Sequence, residues 1–269
     1  MTTRHRFLIA CLLAMAAAAA SAHEFWMLPD RATAPAGGSV RFALTVGENF
    51  AGETVAFSAP LVAALRHHTA AGVTELATRV APAPAANFPL VLSAPGAHLL
   101  ALDTHPSEIV LEAGRFEAYL HEEGLDFIIA ARAAAGQTAV AGRERYRRHI
   151  KALVQAGGRS DGTALLRTGQ RLEIVPLSDP LRHRPGQDIG FQVLFEGRPL
   201  AGALLKFWHR RGGQTLILRT VSDAQGKVVV TPPWAGTWMA SVVHMVPALD
   251  SPAHDWDSHW GNLSFALPR

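Results

Sequence analysis

Ile189-Gly190-Phe191-Gln192-Val193-Leu194-Phe195, then Glu196-Gly197-Arg198-Pro199, then Ala203-Leu204-Leu205-Lys206-Phe207-Trp208 read as strand, turn and strand. Short runs rich in β-branched and aromatic residues, punctuated by Gly and Pro, are the sequence form of β-structure. The same grammar continues outward. Downstream come 215–221, the turn Asp223-Ala224-Gln225-Gly226, then 227–231 and 237–246; upstream lies Leu172-Glu173-Ile174-Val175, ahead of the breakers Pro176 and Pro180. Short strands at this spacing predict a β-sandwich. The reading places a C-terminal β-sandwich domain at 169–269.

The preceding region is also mostly β. Residues 40–46 alternate with a period of two, as do 88–91 and 99–102, separated by Ala/Pro/Gly-rich turns. Ala81-Pro82-Ala83-Pro84-Ala85 is expected to be loop, because alternating prolines cannot donate to a ladder. The period then changes. Across 112–123, Phe116, Tyr119 and Leu120 fall at helical spacing, and Gly124 stands where a left-handed residue ends a helix. Asp126 is expected to cap a second helical piece reaching Arg132. Residues 144–155 fit both periods and are read as strand, with Tyr146, Ile150, Ala152 and Val154 on one face. The fold expectation is mainly β: two β-sandwich domains, Ig-like or carboxypeptidase-regulatory-like, with a short helical insert in the first. The boundary between 23–168 and 169–269 falls in the Gly/Ser/Thr-containing stretch 157–169.

The first 22 residues read as an export signal. Arg4 and Arg6 precede an apolar run over 7–20, and Ala20-Ser21-Ala22 is a small-residue cleavage site. The run is shorter than the roughly 20 residues a membrane span needs, and no later segment reaches that length. Cleavage after Ala22 exposes His23 as the new first residue and predicts a periplasmic location. It also removes Cys11, the only cysteine among 269 residues, and lowers the formal charge from +3 to +1. A disulfide framework, an iron–sulfur cluster and a four-cysteine zinc site are excluded. So weak a charge also argues against nucleic-acid binding. The composition, 49% hydrophobic and 17% charged, excludes wholesale disorder.

The strongest candidate for chemistry is positional. A processed His23 carries a free α-amine and an imidazole Nδ1 that can close a six-membered chelate on one ion. Reference pKa values near 8 and 6.5 let a divalent metal displace both protons at neutral pH. Nitrogen ligands suit copper, nickel and zinc rather than magnesium or calcium. The next residues, Phe25-Trp26-Met27-Leu28-Pro29, are apolar enough to dock as a strand. His244 is the second candidate. Strand alternation puts it with Trp238, Ala240 and Val242, and puts Met239, Val243 and Met245 on the other face. The third is His259, in His254-Asp255-Trp256-Asp257-Ser258-His259-Trp260, where Trp256 and Trp260 read as buried anchors and His254 as a loop residue.

The remaining histidines read as bland. His67-His68 is expected to be a solvated loop pair, and His98 a packed core residue. His105 is expected in a turn, and His121, His149, His183 and His209 at the surface. Glu122-Glu123 reads as a wet helix face. There is no G-x-S-x-G elbow, no H-E-x-x-H and no phosphate loop.

Several of these residues together carry a resemblance. They are His23-Glu24-Phe25-Trp26 with Pro29; Phe116-Glu117-Ala118-Tyr119-Leu120 with Glu122-Glu123-Gly124-Leu125-Asp126; Glu144-Arg145-Tyr146 with Lys151; Val243-His244-Met245; and Asp255-Trp256-Asp257-Ser258-His259-Trp260 with Leu263-Ser264-Phe265. In this order the chain resembles the exported domain-of-unknown-function family 4198, which includes accessory proteins linked to nickel and cobalt uptake. The resemblance implies a periplasmic β-rich protein that binds a divalent transition metal and hands it to an inner-membrane transporter. Nickel or copper would be the ion, held by His23, with His244 as third ligand and His259 or a carboxylate completing the site. Gly197-Arg198-Pro199-Leu200-Ala201-Gly202 and Asp223-Ala224-Gln225-Gly226-Lys227 also resemble carboxypeptidase-regulatory-like sandwich modules. Two rival readings stand beside this one: a copper oxidase with a histidine brace at His23, and a metal-free module using its six tryptophans for protein or glycan contacts.

Overall fold

The computed structural model describes residues 23–80 and 84–269. The segment 1–22 expected to be an export signal and the start of the Ala/Pro stretch at 81–83 lie outside the described residues.

Three sheets build the molecule. A small one contains β1 (Glu24–Pro29), β3 (Ser39–Glu48), β4 (Ala51–Val55) and β7 (Phe88–Val91). A second small one contains β11 (Leu172–Pro176), β12 (Ile189–Phe195), β13 (Arg198–Pro199) and β16 (Lys227–Val230). Between them runs a ten-stranded sheet. Its members are β2 (Thr33–Ala34), β5 (Val62–Thr69), β6 (Gly72–Glu75), β8 (Gly96–Thr104), β9 (Ser107–Leu111), β10 (Gly142–Ala156), β14 (Leu204–Arg211), β15 (Gln214–Val221), β17 (Gly236–Pro247) and β18 (Trp256–Leu267). The order is β15-β14-β17-β18-β10-β8-β5-β6, with β2 and β9 also on β10. The central junction is a parallel pairing of β10 with β18, from Glu144↔Trp256 to Ala152↔Ser264. One sheet therefore runs without a break from 23–168 into 169–269, and the expected boundary segment lies between β10 and β11.

Each face of the long sheet receives a different partner, and side-chain alternation decides which residues meet it. Along β10, Ile150, Ala152 and Val154 join Phe42 and Leu44 of the β1–β3 sheet in one core, as the period-two reading requires. Leu153 points the other way, into a core with Phe191 and Val193 of β12. Along β17, Trp238, Ala240 and Val242 enter that second core, while Val243 and Met245 join a third under the helices. Met245 is core, as expected from its parity.

The helices are α1 (Ala113–Glu122) and α2 (Asp126–Ala134). Phe116, Tyr119 and Leu120 of α1 pack with Ile128 of α2 on Trp256 and Trp260 of β18. Gly124 has φ +70°, and a Cβ there would stand 2.6 Å from the Leu204 Cβ, so both conformation and space demand glycine. Asp126 does not cap α2. The N-cap is Leu125, without a side-chain bond, and Asp126 is the first helical residue, where its charge suits the helix dipole.

Four surface assignments are corrected by the fold. His67 and His68 lie on β5, not in a loop, and both are buried. His149 on β10 and His209 on β14 are buried rather than exposed. Glu123 does not face water: it is enclosed where α1 meets β14, paired at 2.7 Å with buried Lys206. His98 is core, as expected, 2.8 Å from His67.

Candidate metal site

His244 and His259 stand directly opposite each other in the antiparallel β17–β18 ladder, on the face that meets the β11–β12 sheet. Cross-strand partners hold their Cβ atoms about 4.5–5.5 Å apart, so the two imidazoles are neighbours by register. Phe195, at the end of β12, touches both: its ring centroid is 4.5 Å from that of His244 and 5.4 Å from that of His259. The β14–β17 ladder stops at Leu205↔Val242, so His244 lies beyond β14. There Phe127 of α2 stacks on it at 6.0 Å, leaving the ring partly exposed while His259 is fully enclosed.

A chain of hydrogen bonds runs sideways across the sheet from this pair. His259 Nδ1 is 3.0 Å from His149 Nε2, and His149 Nδ1 is 2.7 Å from Asp103 Oδ1 on β8. Gln170 Nε2 donates to the same Asp103 oxygen at 3.0 Å, and Arg66 Nη1 to the other at 3.3 Å. These partners fix the protons. An ionised carboxylate only accepts, so His149 Nδ1 carries a hydrogen, and when that ring is neutral its Nε2 accepts. His259 must then donate through Nδ1, which leaves its Nε2 as a bare lone pair. That Nε2 is buried with no hydrogen-bond partner. Burial, and then the neighbouring His149, push the His259 pKa down to about 3, so this ring stays neutral at ordinary pH. Burial also lowers the His244 pKa, against a weaker pull from Glu196.

A metal-ligating histidine usually donates its other ring N–H to a fixed acceptor; here His259 has His149 in that place, and the Asp103 carboxylate holds His149 in turn. The donor set fits a nitrogen-preferring ion such as nickel, copper or zinc. Beside it is a cavity of about 400 Å³ lined by Arg145, Arg147, Arg171, Phe195, Asp250 and Asp257, among others. Burial alone would raise the Asp257 pKa, but a two-point contact from Arg145, at 2.6 Å to each oxygen, outweighs it and holds the carboxyl below its usual range.

His23 does not join this pair. It precedes β1, whose sheet packs on the opposite face of the ten-stranded sheet: Ser241 Oγ donates to Glu24 at 3.0 Å, and Asn262 Nδ2 donates to the Phe25 carbonyl. The His23 ring stands at the surface, Nε2 3.5 Å from Glu48 Oε1. Among the described residues, no three His, Cys, Asp or Glu side chains form a group that could hold an ion. The arrangement therefore offers His244 and His259 as two protein ligands, with the remaining positions left to water or other small ligands.

Sequence reasoning did not find His149 or Asp103. The signal was present, since His149 shares the parity of buried Leu153, but the charges of Arg145, Arg147 and Lys151 at that parity disguise an interior face. Lys151 is itself buried, 2.9 Å from Glu173. The opposite face holds two carboxylates that were also missed. Burial and the Glu123 charge push Glu24 up to about 7. Burial likewise pushes Glu144 up to about 7, although Ser258 and Tyr119 donate to it.

Geometry thus defines a mainly β protein with a buried, lone-pair-bearing histidine at a sheet-to-sheet seam. Residues 20–246 match the domain of unknown function DUF4198, and the chain belongs to that family. No curated protein matches the sequence. Among solved structures, a tetra-tandem repeat in the extending region of a large adhesion protein is similar at 9% identity, covering 91% of this chain and 49% of that one, with a TM-score of 0.23. Escherichia coli alpha-2-macroglobulin activated by porcine elastase is similar at 11% identity, covering 91% of this chain and 24% of the other, with a TM-score of 0.22. The chain spans half or less of the length of each. No helix among the described residues is long and apolar enough to cross a membrane.

Proposed function

We propose that this protein is an exported, periplasmic binding protein for a divalent transition metal, acting as an accessory in metal uptake. The observation that carries the reading is His259 Nε2, an enclosed lone pair with no protein donor, kept bare by the Asp103–His149 chain and set beside His244. A buried acceptor left unpaired costs about 1–3 kcal/mol, and a bound ion would remove that penalty. Imidazole ligation favours nickel, copper or zinc, and the uptake role, with an inner-membrane transporter as recipient, comes from the family resemblance. His23 would hold an ion only as a separate site on the other face, through Nδ1 and the α-amine that cleavage after Ala22 releases.

Calorimetric titration of the processed protein with nickel, copper and zinc tests this. One ion is expected to bind with His244 and His259 required, each of His244→Gln and His259→Gln removing it, while His23→Ala leaves that ion in place. Loss of all binding in His23→Ala, or unchanged binding in both other variants, contradicts the proposal.

A further inference from the structure

The β14–β15 end of the long sheet carries a second site built from different residues. His209 Nδ1 donates to the Thr237 carbonyl at 2.8 Å, so in the neutral ring Nε2 is an acceptor. The residue is 4% exposed and that Nε2 has no partner. Its ring stacks on the Trp238 indole at 4.7 Å and lies tilted to the Trp234 indole at 5.6 Å. It lines a cavity of about 650 Å³ together with Arg210, Arg211, Trp234 and Arg269. A neighbouring cavity of about 470 Å³ shares Arg211 and Trp234 and adds Gln214 and Thr215, so the two meet at the Trp234 indole.

The platform is held in place before any ligand arrives. Trp238 Nε1 donates to the Trp234 carbonyl at 2.9 Å, and Gly186 N donates to the Pro232 carbonyl at 2.9 Å. Gly236 has φ +114°, and a Cβ there would stand 3.2 Å from His209 Cε1, so the turn closes only with glycine. Trp234 remains 38% exposed on this fixed turn.

We propose that this groove binds an acidic oligosaccharide, a chain of uronate-type sugars. Arg210, Arg211 and Arg269 are among the lining residues and no Asp or Glu is, which favours a negative ligand. A simple carboxylate only accepts, and would leave His209 Nε2 unpaired. A sugar acid supplies hydroxyl donors for that nitrogen, a carboxylate for the arginines and a flat C–H face for Trp234. A single-stranded nucleic acid would need a basic groove tracking several nucleotides, whereas here the cations cluster at one turn. The site shares no residue with the metal proposal and stands independently of it.

The test is calorimetry of the full chain, with EDTA present, against polygalacturonate oligomers, a neutral cello-oligosaccharide and an oligothymidylate of similar length. Saturable binding of the uronate oligomer alone is expected. Trp234→Ala and Arg211→Ala, both surface changes, should each weaken it at least tenfold, with Arg211→Lys recovering part of the loss. Absence of uronate binding, equal binding of the neutral sugar, or tighter binding of the oligonucleotide overturns the proposal. So does a loss confined to Arg211→Ala, which would reduce the effect to general attraction of polyanions.

Discussion

Two buried polar networks on opposite faces of the ten-stranded sheet end in different ways. On the helix-covered face, Glu144 accepts from Tyr119 and Ser258, Glu24 accepts from Ser241, and Glu123 is paired with Lys206. Each acid there has donors supplied by the protein. On the other face, the line from Asp103 through His149 to His259 ends in an acceptor with none. A buried polar network that closes on itself is a device of structure, and one that ends open is a candidate for a ligand.

Breaking the closed face should give the largest effect. Lys206→Met leaves Glu123 enclosed and unpaired, and urea unfolding should show a loss of about 3–5 kcal/mol; replacing both partners by apolar residues should recover most of it. A loss below about 1 kcal/mol would mean that the pair is hydrated.

The next effect is a pH slope. Glu144 is held at about 7 in the folded state against an ordinary carboxylate value of 4.5, so the folded protein binds the extra proton between those values. Its contribution is therefore fully present below about pH 4.5 and is lost as pH rises through 7, amounting to about 3 kcal/mol. Glu144→Gln should flatten that part of the stability profile measured by urea unfolding from pH 4.5 to 8. His67, lowered to about 4 mainly by burial, acts with the opposite sign: its contribution is present above about 6.5 and lost as pH falls towards 4. An unchanged profile in Glu144→Gln would place that carboxylate in water.

On the open face, Asp103→Asn should keep the fold and weaken metal binding by roughly 10–100-fold, because the chain would no longer fix the proton on His149 Nδ1. Equal affinity in titration would show that the carboxylate does not orient the ligand. The smallest effect belongs to His23→Ala, a surface change whose unfolding free energy should stay within about 0.5 kcal/mol of the parent.

Much of the architecture was legible because periodicity survives burial. Trp238 to Met245 sorted correctly between two faces, and 88–91 and 189–195 coincide with β7 and β12. The site was less legible. His149, Lys151, His209 and Glu123 look like surface residues because each sits among charges, yet each is enclosed beside a partner far away in sequence. The parallel β10–β18 junction that joins His149 to His259 spans 110 positions, and no local pattern encodes such a pairing. Proximity of His244 and His259 follows from ladder register, while the separation of His23 follows from which face β1 covers; neither can be read from spacing.

The most direct measurement is imidazole nitrogen NMR of the metal-free protein at neutral pH, with His259 assigned through its substitution. Nδ1 should carry the proton and Nε2 should have the shift of an unprotonated, unbonded nitrogen that moves on adding one equivalent of zinc. A protonated Nε2, or one indifferent to zinc, would contradict the account.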